Sequence, residues 1–361
     1  MKRKANNLSR REALKVAGLG IAGLSMPAFH DPMLPARTDP VSRLGRICAA
    51  SVDVFSQPDA TSSSVATLYE DSLIECHREL VGYHPYRINQ RWIETPDGYI
   101  WSPNVQPVEN HPNPEPLTLV ETSQGPGLWA EVSVPYVDLV LDNPPARSPW
   151  LQDALYPRLY YSQVVWIDQL REEDDGQLWC RINERFGYGD ILWAKAEGFR
   201  PITENELAPI APDVEDKQVV VNLSRQSLSC FENGREVFYT RISSGARFDA
   251  QGNPVDQWST PVGAHPIWRK IISLHMSGGT TGGGYDLPGI GWTSLFVGNG
   301  VAIHSTFWHN NYGVPMSHGC INARPQDAKW IFRWTAPHVP FDPGDVTIGM
   351  PGGTKISVIE E

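Results

Sequence analysis

The chain has 361 residues, which is enough for two or three domains. Its 41% hydrophobic and 20% charged residues are typical of globular domains rather than of a disordered chain. The formal net charge of −11 argues against a nucleic-acid-binding surface, which requires a basic face. The 13 Trp and 31 Pro favour short strands and many turns over long helices.

The N-terminus has the pattern of an export signal. A basic start is followed by SRREALK at residues 9–15 and by a Gly/Ala-rich apolar run at residues 16–24. This order is similar to a twin-arginine signal, although Ala13 stands where an aromatic residue or Leu is frequent. The run is short and glycine-rich for a membrane span, and no cysteine directly follows it to carry a lipid. We expect residues 1–28 to direct export, with cleavage near Ala28 or retention as an uncleaved anchor. An ordinary amphipathic helix is the alternative.

The cysteines are odd in number, so at least one has no partner within the chain. They are Cys48, Cys76, Cys180, Cys230 and Cys320. Export permits disulfides. Cys48 and Cys76 lie in one segment and are a candidate pair, but sequence does not fix the connectivity of the first four cysteines.

Two segments rich in Pro and polar residues, 110–127 and 203–216, have the composition of linkers. They divide the chain into units at about 44–109, 128–202 and 217–359. The first two units resemble each other weakly. Each has short strands, a Gly turn and a pair of tryptophans, Trp92 with Trp101 and Trp179 with Trp193.

Short strands between turn signals predict two small barrels, which are similar to bacterial SH3-like modules. The alternative is an unrelated small β domain that only spaces the third unit. The tryptophans are expected in the cores of these units rather than as sugar-binding platforms, because Trp is usually largely buried.

The third unit is predicted to begin with strands at 219–223, 227–231 and 236–242. Asn233-Gly234 between the last two strands is a strong hairpin signal, because both residues tolerate positive φ. The Gly-rich segment 275–292 is predicted to be a long loop that acts as a lid or a binding loop.

A strand is predicted over GVAIHS, at residues 300–305. The later segment RPQDAKWIFRW, at 324–334, predicts a helix with Pro325 in its first turn. Ala328, Ile331 and Phe332 have the spacing of its buried face.

Cys320 and His304 are the candidate reactive pair. A free thiol with a pKa near ~8.5 is only slightly ionised at neutral pH and needs a base within hydrogen-bond reach to attack a carbonyl. A strand, a turn and a return fit between the two residues. Gly319 before the cysteine allows the backbone N–H groups of Gly319 and Cys320 to approach a developing oxyanion. The residues therefore indicate acyl transfer, with His304 as base and then acid.

Three alternatives stay open on the residues alone. His318 is a second candidate base, or it orients the thiolate. His304, His309, His318 and Cys320 together offer nitrogen and sulfur ligands for zinc. The cluster is also compatible with a purely structural role.

The stretch AIHSTFWHNNYGVPMSHGCINA closely resembles the L,D-transpeptidase (YkuD-like) catalytic domain, whose pattern is a His, a spacer and Ser-His-Gly-Cys with Asn or Arg two residues later. The matching residues are His304, Ser317, His318, Gly319, Cys320 and Asn322. TPVG at 260–263, HM at 275–276 and GNGVAIH at 298–304 agree with the family. The resemblance covers about residues 217–359 and implies a mostly antiparallel β-sandwich with short helices, in a chain that is mainly β.

The resemblance implies peptidoglycan cross-linking. Cys320 would attack the carbonyl of the L-centred third residue of a tetrapeptide stem, release D-Ala and form a thioester, which an amine of an acceptor stem then resolves. His304 would deprotonate the thiol, the backbone carbonyl of Ser305 would orient its ring, and His318 and Gly319 would shape the oxyanion region.

Other positions match places where the family holds its substrate. These are Tyr285, Asn299, Gly300 and Asn322. Met276, Trp292 and Trp308 would line the lid. Arg324 either binds a substrate carboxylate or caps the loop through backbone carbonyls. His265 and His309 are expected in solvent, and Cys230 is expected to be an inert core thiol.

The resemblance further implies covalent acylation of Cys320 by carbapenems, and it implies no metal or cofactor. A thiol L,D-carboxypeptidase on the same fold, in which water replaces the acceptor amine, is the first alternative. A non-enzymatic wall-binding protein is the second, although it predicts a missing Cys or His. The sequence leaves the acceptor, the diamino acid and the oligomeric state open, with a monomer as the default expectation.

Overall fold

The computed structural model describes residues 43–184, 187–248, 252–278, 285–298 and 300–361. The predicted export signal over residues 1–28 lies outside these ranges. Among the helices in the described ranges, none has the length and apolar character needed to cross a membrane.

The first module, residues 43–108, consists of two small sheets around one core. Its strands are β1 (Arg43–Ile47), β2 (Ser51–Phe55), β3 (Ser64–Tyr69), β4 (Leu73–Cys76), β5 (Arg78–Val81), β6 (Arg91–Thr95), β7 (Gly98–Trp101) and β8 (Val105–Val108). The sheet orders are β4-β1-β8 and β3-β2-β7-β6-β5. Val52 and Val54 alternate inward on β2 and pack with Ile93 and Ile100.

The second module, residues 120–201, is built on a larger sheet of order β12-β16-β15-β14-β10-β17, with β9 added to β10 and a separate β11–β13 pair. Its elements are β9 (Val120–Thr122), β10 (Gly125–Val132), β11 (Tyr136–Asp138), β12 (Val140–Leu141), α1 (Pro149–Asp153), β13 (Arg158–Tyr160), β14 (Val164–Glu172), β15 (Leu178–Asn183), β16 (Ile191–Lys195) and β17 (Phe199–Pro201). Trp193 is buried in this module as predicted, whereas Trp179 keeps partial exposure.

The C-terminal module, residues 217–359, has two five-stranded sheets of order β20-β19-β18-β27-β21 and β25-β24-β23-β22-β26. Its elements are β18 (Lys217–Asn222), β19 (Ser227–Glu232), β20 (Arg235–Arg241), β21 (Gly263–Pro266), β22 (Arg269–Gly278), β23 (Tyr285–Leu295), β24 (Ala302–Ser305), β25 (Ile321–Ala323), α3 (Pro325–Trp334), β26 (Asp345–Thr347) and β27 (Lys355–Ile359), preceded by α2 (Glu204–Leu207). The pairs β18–β27 and β24–β25 are parallel, and the other pairs in these two sheets are antiparallel. The prediction of a mainly β chain is confirmed.

The predicted hairpin and helix are both present. Asn233 and Gly234 have φ angles of 49° and 77°, as the turn between β19 and β20 requires. Helix α3 begins at Pro325 and buries Ala328, Ile331 and Phe332. The buried Nζ of Lys270 donates to the carbonyls of Phe332 and Thr335, which would otherwise lack partners at the helix C-terminus.

The hydrophobic core of the C-terminal module is completed by the second module. Trp129 and Val164 belong to the same buried cluster as Ile272 and Trp292. The indole N–H of Trp129 donates to the carbonyl oxygen of Phe341 at 3.0 Å. The two modules therefore share buried apolar surface, the main source of stability in globular folds.

The prediction of a long loop was wrong for residues 275–278 and 285–292, which belong to strands β22 and β23, and residues 279–284 lie outside the described residues. The glycines there serve close packing. A Cβ on Gly291 would lie 2.7 Å from Cγ2 of Val164, and one on Gly289 would lie 3.1 Å from the Val164 carbonyl oxygen. These glycines let the hairpin approach strand β14 of the second module.

The segment 203–216, predicted to be a linker, includes α2 and is packed against the fold. Leu207 is buried, and Glu206 forms ion pairs with Arg200 and Lys329. The other predicted linker, 110–127, contains β9 and the start of β10. All five cysteines are free thiols, so Cys48 and Cys76 are not paired in this structure.

Candidate active site

Strands β24 and β25 lie side by side, with His304 on β24 and Cys320 directly before β25. The parallel register aligns Ile303 with Ile321 and His304 with Asn322. The thiol of Cys320 interacts with the backbone N–H of Ala302, two residues before His304. The two candidate catalytic residues are therefore carried by adjacent segments of one sheet.

His304 is oriented by the chain itself. Its Nδ1–H donates to the backbone carbonyl of Ser305 at 2.8 Å, which leaves the lone pair on Nε2. Burial, opposed by this hydrogen bond, lowers the pKa of His304 to about 4. The ring is therefore neutral at neutral pH and can accept a proton. This is the contact with Ser305 that the family resemblance implied.

Cys320 rests as a thiol. Burial raises its pKa to about 11, and Sγ lies 3.8 Å from the carbonyl oxygen of Gly300. A raised thiol pKa beside a lowered imidazole pKa disfavours a resting thiolate–imidazolium pair. The arrangement therefore suits a base that takes the proton as the thiol attacks.

The loop before the nucleophile is fixed by Ser317. Its Oγ accepts the N–H of Gly319 at 3.1 Å and donates to the carbonyl of Cys320 at 2.6 Å. The carbonyl of Gly319 accepts from Oγ1 of Thr260 at 2.8 Å. Gly319 has a φ of 121°, which a residue with a side chain rarely adopts. The Gly319 N–H, predicted to be an oxyanion donor, is thus already engaged, and the predicted N–H of Cys320 is the donor that remains.

The sequence did not indicate a functional role for Thr260, which lies in the TPVG segment that agrees with the family. Its Oγ1 also accepts the N–H of Gly245 at 2.9 Å, so this one hydroxyl joins two loops at the nucleophile. The position of Thr260 immediately before Pro261 in a turn was the sequence feature that could have indicated this role.

Aromatic and apolar side chains surround the thiol. Cys320 packs against the cluster that contains Met276, Tyr285, Phe307 and Trp308. Burial, with a contribution from Cys320, raises the pKa of Tyr285 and keeps its hydroxyl protonated. Tyr285 thus lies close enough to Cys320 to interact with it, and Met276 and Trp308 belong to the same cluster.

His318 forms the side of this wall. Its ring centroid lies 4.3 Å from that of Trp258 and 5.2 Å from that of Tyr285. The ring is therefore sandwiched between aromatic neighbours, which suits a role in shaping the loop.

Asn322 and His309 form a buried pair, which differs from both predictions for them. The side-chain amide of Asn322 lies 2.9 Å from Nε2 of His309, whose Nδ1 accepts the N–H of Asn311 at 3.1 Å. Because Nδ1 is an acceptor, Nε2 carries the ring proton, so the Asn322 amide nitrogen that lies at this position would face a second donor. Rotating the amide by 180° puts Oδ1, which otherwise has no partner, opposite Nε2 as the acceptor. Burial lowers the pKa of His309 to about 3. The expectation of a solvated His309 was wrong, and Asn322 braces the loop instead of lining a cleft.

Two further predicted contacts lie elsewhere. Trp292 is fully buried against Phe332 in the main core, so its predicted place in a lid was wrong. Arg324 precedes α3, lies over the Tyr312 ring at 4.6 Å and approaches Asp327 at 3.7 Å. These contacts differ from the backbone carbonyls predicted for it, and its alternative role with a substrate carboxylate stays a prediction. Asn299 lies outside the described residues.

The hairpin that carries Met276 and Tyr285 is tied to the second module by His275. Its buried ring lies between Glu184 of that module, at 3.0 Å from Nδ1, and Asp286, at 2.6 Å from Nε2. Burial opposes the charged ring, but the hydrogen bonds and charges of the two carboxylates raise the pKa of His275.

The zinc alternative finds no preformed site in the part of the chain that the structure describes. No group of three or more His, Cys, Asp or Glu side chains there is arranged to hold a metal ion. Both ring nitrogens of His309, one of the four proposed ligands, are already hydrogen-bonded within the protein.

A thiol beside a neutral histidine held by a backbone carbonyl defines the site as one suited to cysteine-dependent acyl transfer. Residues 216–358 match the family model of the L,D-transpeptidase catalytic domain, YkuD. The match covers the residues over which the sequence motif predicted this catalytic domain.

The relatives carry the same name. A probable L,D-transpeptidase of Escherichia coli K12, YbiS, is 25% identical over 163 residues, which cover 42% of this chain and 47% of the relative. The chain thus spans about half the length of this curated relative. The solved catalytic domain of an Enterococcus faecium L,D-transpeptidase is 26% identical over 40% of this chain and 98% of that chain, with a TM-score of 0.29. The L,D-transpeptidase LdtMt1, solved with imipenem, is 17% identical over 54% of this chain and 98% of that chain, with a TM-score of 0.31.

Proposed function

We propose that the protein is an exported peptidoglycan L,D-transpeptidase. The observation that carries the proposal is the His304–Ser305 contact, which leaves Nε2 of a neutral ring as a base on the strand next to the one that follows Cys320. It lies within the segment that matches the L,D-transpeptidase catalytic domain.

The chemistry has two acyl transfers. Nε2 of His304 takes the thiol proton while Sγ attacks the carbonyl of the third residue of a donor tetrapeptide stem. The C–N bond to D-Ala breaks, His304 returns the proton to the leaving amine, and a thioester remains on Cys320. An amine of an acceptor stem then attacks the thioester, passes a proton to His304 and leaves a new amide with the thiol restored.

The cluster around Cys320 supports an extended peptide as the substrate. Met276, Tyr285 and Trp308 supply an apolar wall, and the N–H of Cys320 supplies an oxyanion donor. Carbapenems contain a reactive amide carbonyl that the same thiol would attack, so covalent acylation of Cys320 by imipenem is part of the proposal.

Intact mass spectrometry of residues 29–361 with a tetrapeptide stem, with and without an acceptor stem, tests the reaction. A cross-linked dimer that requires Cys320 is expected, and Cys320→Ala should give none. His304→Gln should lower the rate by about 10²–10⁴-fold, the usual contribution of a general base. Tripeptide without dimer would identify the L,D-carboxypeptidase instead. Absence of turnover, together with absence of an imipenem adduct on Cys320, would refute both thiol-enzyme readings.

Export by the twin-arginine route is the second part of the proposal and is supported by the sequence SRREALK. Replacing both Arg10 and Arg11 by Lys should retain the protein inside the cell. The comparison is made by fractionating cells that express the wild-type chain or this variant, and equal export of the two would refute the route.

A further inference from the structure

The segment that follows the catalytic histidine is held by the first module. We call residues 306–311 the active-site segment. The carbonyl of Phe307 accepts from Nη2 of Arg46 at 3.0 Å, and the N–H of Asn310 donates to the carbonyl of Pro103 at 3.0 Å. Asn89 donates to Asn311 at 3.1 Å. Three points of this short segment are thus fixed by residues more than 200 positions away in the chain.

Arg46 is the centre of this contact. It is only 1% exposed. Nε and Nη2 donate to Oε1 of Gln106 at 3.0 and 2.9 Å, and Nη1 donates to Asp71 at 2.8 Å. A buried guanidinium is tolerated only when its charge and donors are paired. The Phe307 carbonyl completes this set, so the segment is part of the reason why Arg46 can be buried.

The second module supports the same contact through Tyr160. Its ring lies 3.9 Å from the guanidinium carbon of Arg46 and stacks on Phe307, with ring centroids 5.6 Å apart. Phe307 in turn contacts Trp308 edge to face at 5.1 Å. Phe307, which precedes Trp308, is therefore in contact with both N-terminal modules, through Arg46 of the first and Tyr160 of the second.

The catalytic pair lies directly beside this contact. Phe307 is two residues after Ser305, whose carbonyl orients His304, and Phe307 and Trp308 belong to the cluster around Cys320. A shift of the Phe307 carbonyl moves the short backbone that carries the Ser305 acceptor. Misplacement of a reacting group by 1 Å can reduce a rate by about 100-fold.

We propose that Arg46 is a positioning residue of the active site, through which the first module fixes the backbone that orients the ring of His304. The first module is then an integral part of the catalytic unit rather than a separate spacer or wall-binding domain. The inference rests on the proposed roles of His304 and Cys320, but its test needs no stem peptide.

The test compares Arg46→Lys with Arg158→Lys in the whole protein. Arg158 donates to the other oxygen of Asp71, at 2.7 Å, so the control disturbs the same buried carboxylate. No contact joins Arg158 to the active-site segment among the described residues. Thermal unfolding first establishes that both variants are folded.

Alkylation of Cys320 by iodoacetamide is then followed by peptide mass spectrometry from pH 5 to 9. With His304 in place as base, the wild-type rate should be nearly constant from about pH 5 to neutrality, because His304 stays neutral down to about pH 4. In Arg46→Lys the neutral-pH rate should fall by up to about 100-fold. The remaining rate should drop about tenfold per pH unit below neutrality, as expected when only thiolate reacts. Arg158→Lys should retain the wild-type profile.

Identical profiles for both variants and the wild type would overturn the proposal, because loss of stability alone does not change the slope of a pH–rate profile. If Arg46→Lys does not fold, Tyr160→Leu is tested instead, because it removes the ring that packs on both Arg46 and Phe307. An unchanged pH–rate profile in Tyr160→Leu would also overturn the proposal. A wild-type rate without a plateau would contradict His304 as base, a failure of the proposed function. The rate of imipenem acylation in the same variants would then decide the role of Arg46 by itself.

Discussion

Ser317→Ala separates positioning of the nucleophile from donation to an oxyanion. The change removes the hydroxyl that accepts the Gly319 N–H at 3.1 Å and donates to the Cys320 carbonyl at 2.6 Å. Gly319 is buried, so its N–H is left without this acceptor, at a cost of about 1–3 kcal/mol in the free energy of unfolding. The carbonyl of Cys320 loses its donor at the same time, so the nucleophile loop should loosen.

Loosening that moves Sγ by about 1 Å should slow acylation of Cys320 by up to about 100-fold. If the Gly319 N–H instead serves the oxyanion during the reaction, freeing it should leave the rate unchanged or raise it.

Urea unfolding measures the stability, and intact mass during reaction with imipenem measures the acylation rate. Ser317→Thr, which keeps the hydroxyl, is the matched control and should stay close to the wild type in both. A Ser317→Ala protein as stable and as reactive as the wild type would refute the role given to the hydroxyl.

Three further outcomes are expected from the same structure. The wild type should lose stability on acidification, because the fold lowers the pKa values of His304 and His309 and so favours their neutral rings. Between pH 6.5 and pH 5, each histidine should lower the free energy of unfolding, measured with urea, by about 2 kcal/mol. A free energy of unfolding that does not change over this range would contradict their burial as neutral rings. The pH dependence contributed by His275 has the opposite direction, because its pKa is raised in the folded protein. The extra stability of the wild type over His275→Gln should be complete below pH 6.5 and should decline as the pH rises through the folded-state pKa. A stability difference that grows with pH would contradict a charged His275 between Glu184 and Asp286. Trp292→Ala should lower the free energy of unfolding by about 3–5 kcal/mol and should change the acylation rate of the folded protein little. Trp308→Ala should slow acylation and should change the stability little. The opposite pattern would support the predicted place of Trp292 in a lid.

Short sequence patterns correctly predicted the secondary-structure elements that depend mainly on neighbouring residues. The hairpin turn at Asn233 and Gly234 follows from their tolerance of positive φ, and α3 follows from Pro325 and a helical spacing of apolar residues. The strand predicted over residues 300–305 is present as β24, Ala302–Ser305, which carries His304.

The sequence-based predictions that were wrong concern residues whose environment depends on distant parts of the chain. The Gly content of residues 275–292 predicted a loop, but Gly289 and Gly291 are there because Val164 of another module lies against them. His309 was expected in solvent because no sequence pattern reports that Asn322 and Asn311 satisfy both of its ring nitrogens. A buried polar side chain is tolerated only where partners are brought to it, and those partners lie on other elements.

Residue types and short-range spacing were thus enough to predict the candidate thiol and base, the similarity of residues 216–358 to the L,D-transpeptidase catalytic domain and the mainly β character of the chain. Three features required the folded structure: the engagement of the Gly319 N–H by Ser317, the burial of Trp292 in the core, and the contact of Arg46 with Phe307 across 261 positions. The physical reason is that residue type and short-range spacing fix chemistry and local backbone preference. Burial, hydrogen-bond satisfaction and close packing depend on atoms that the fold alone brings together.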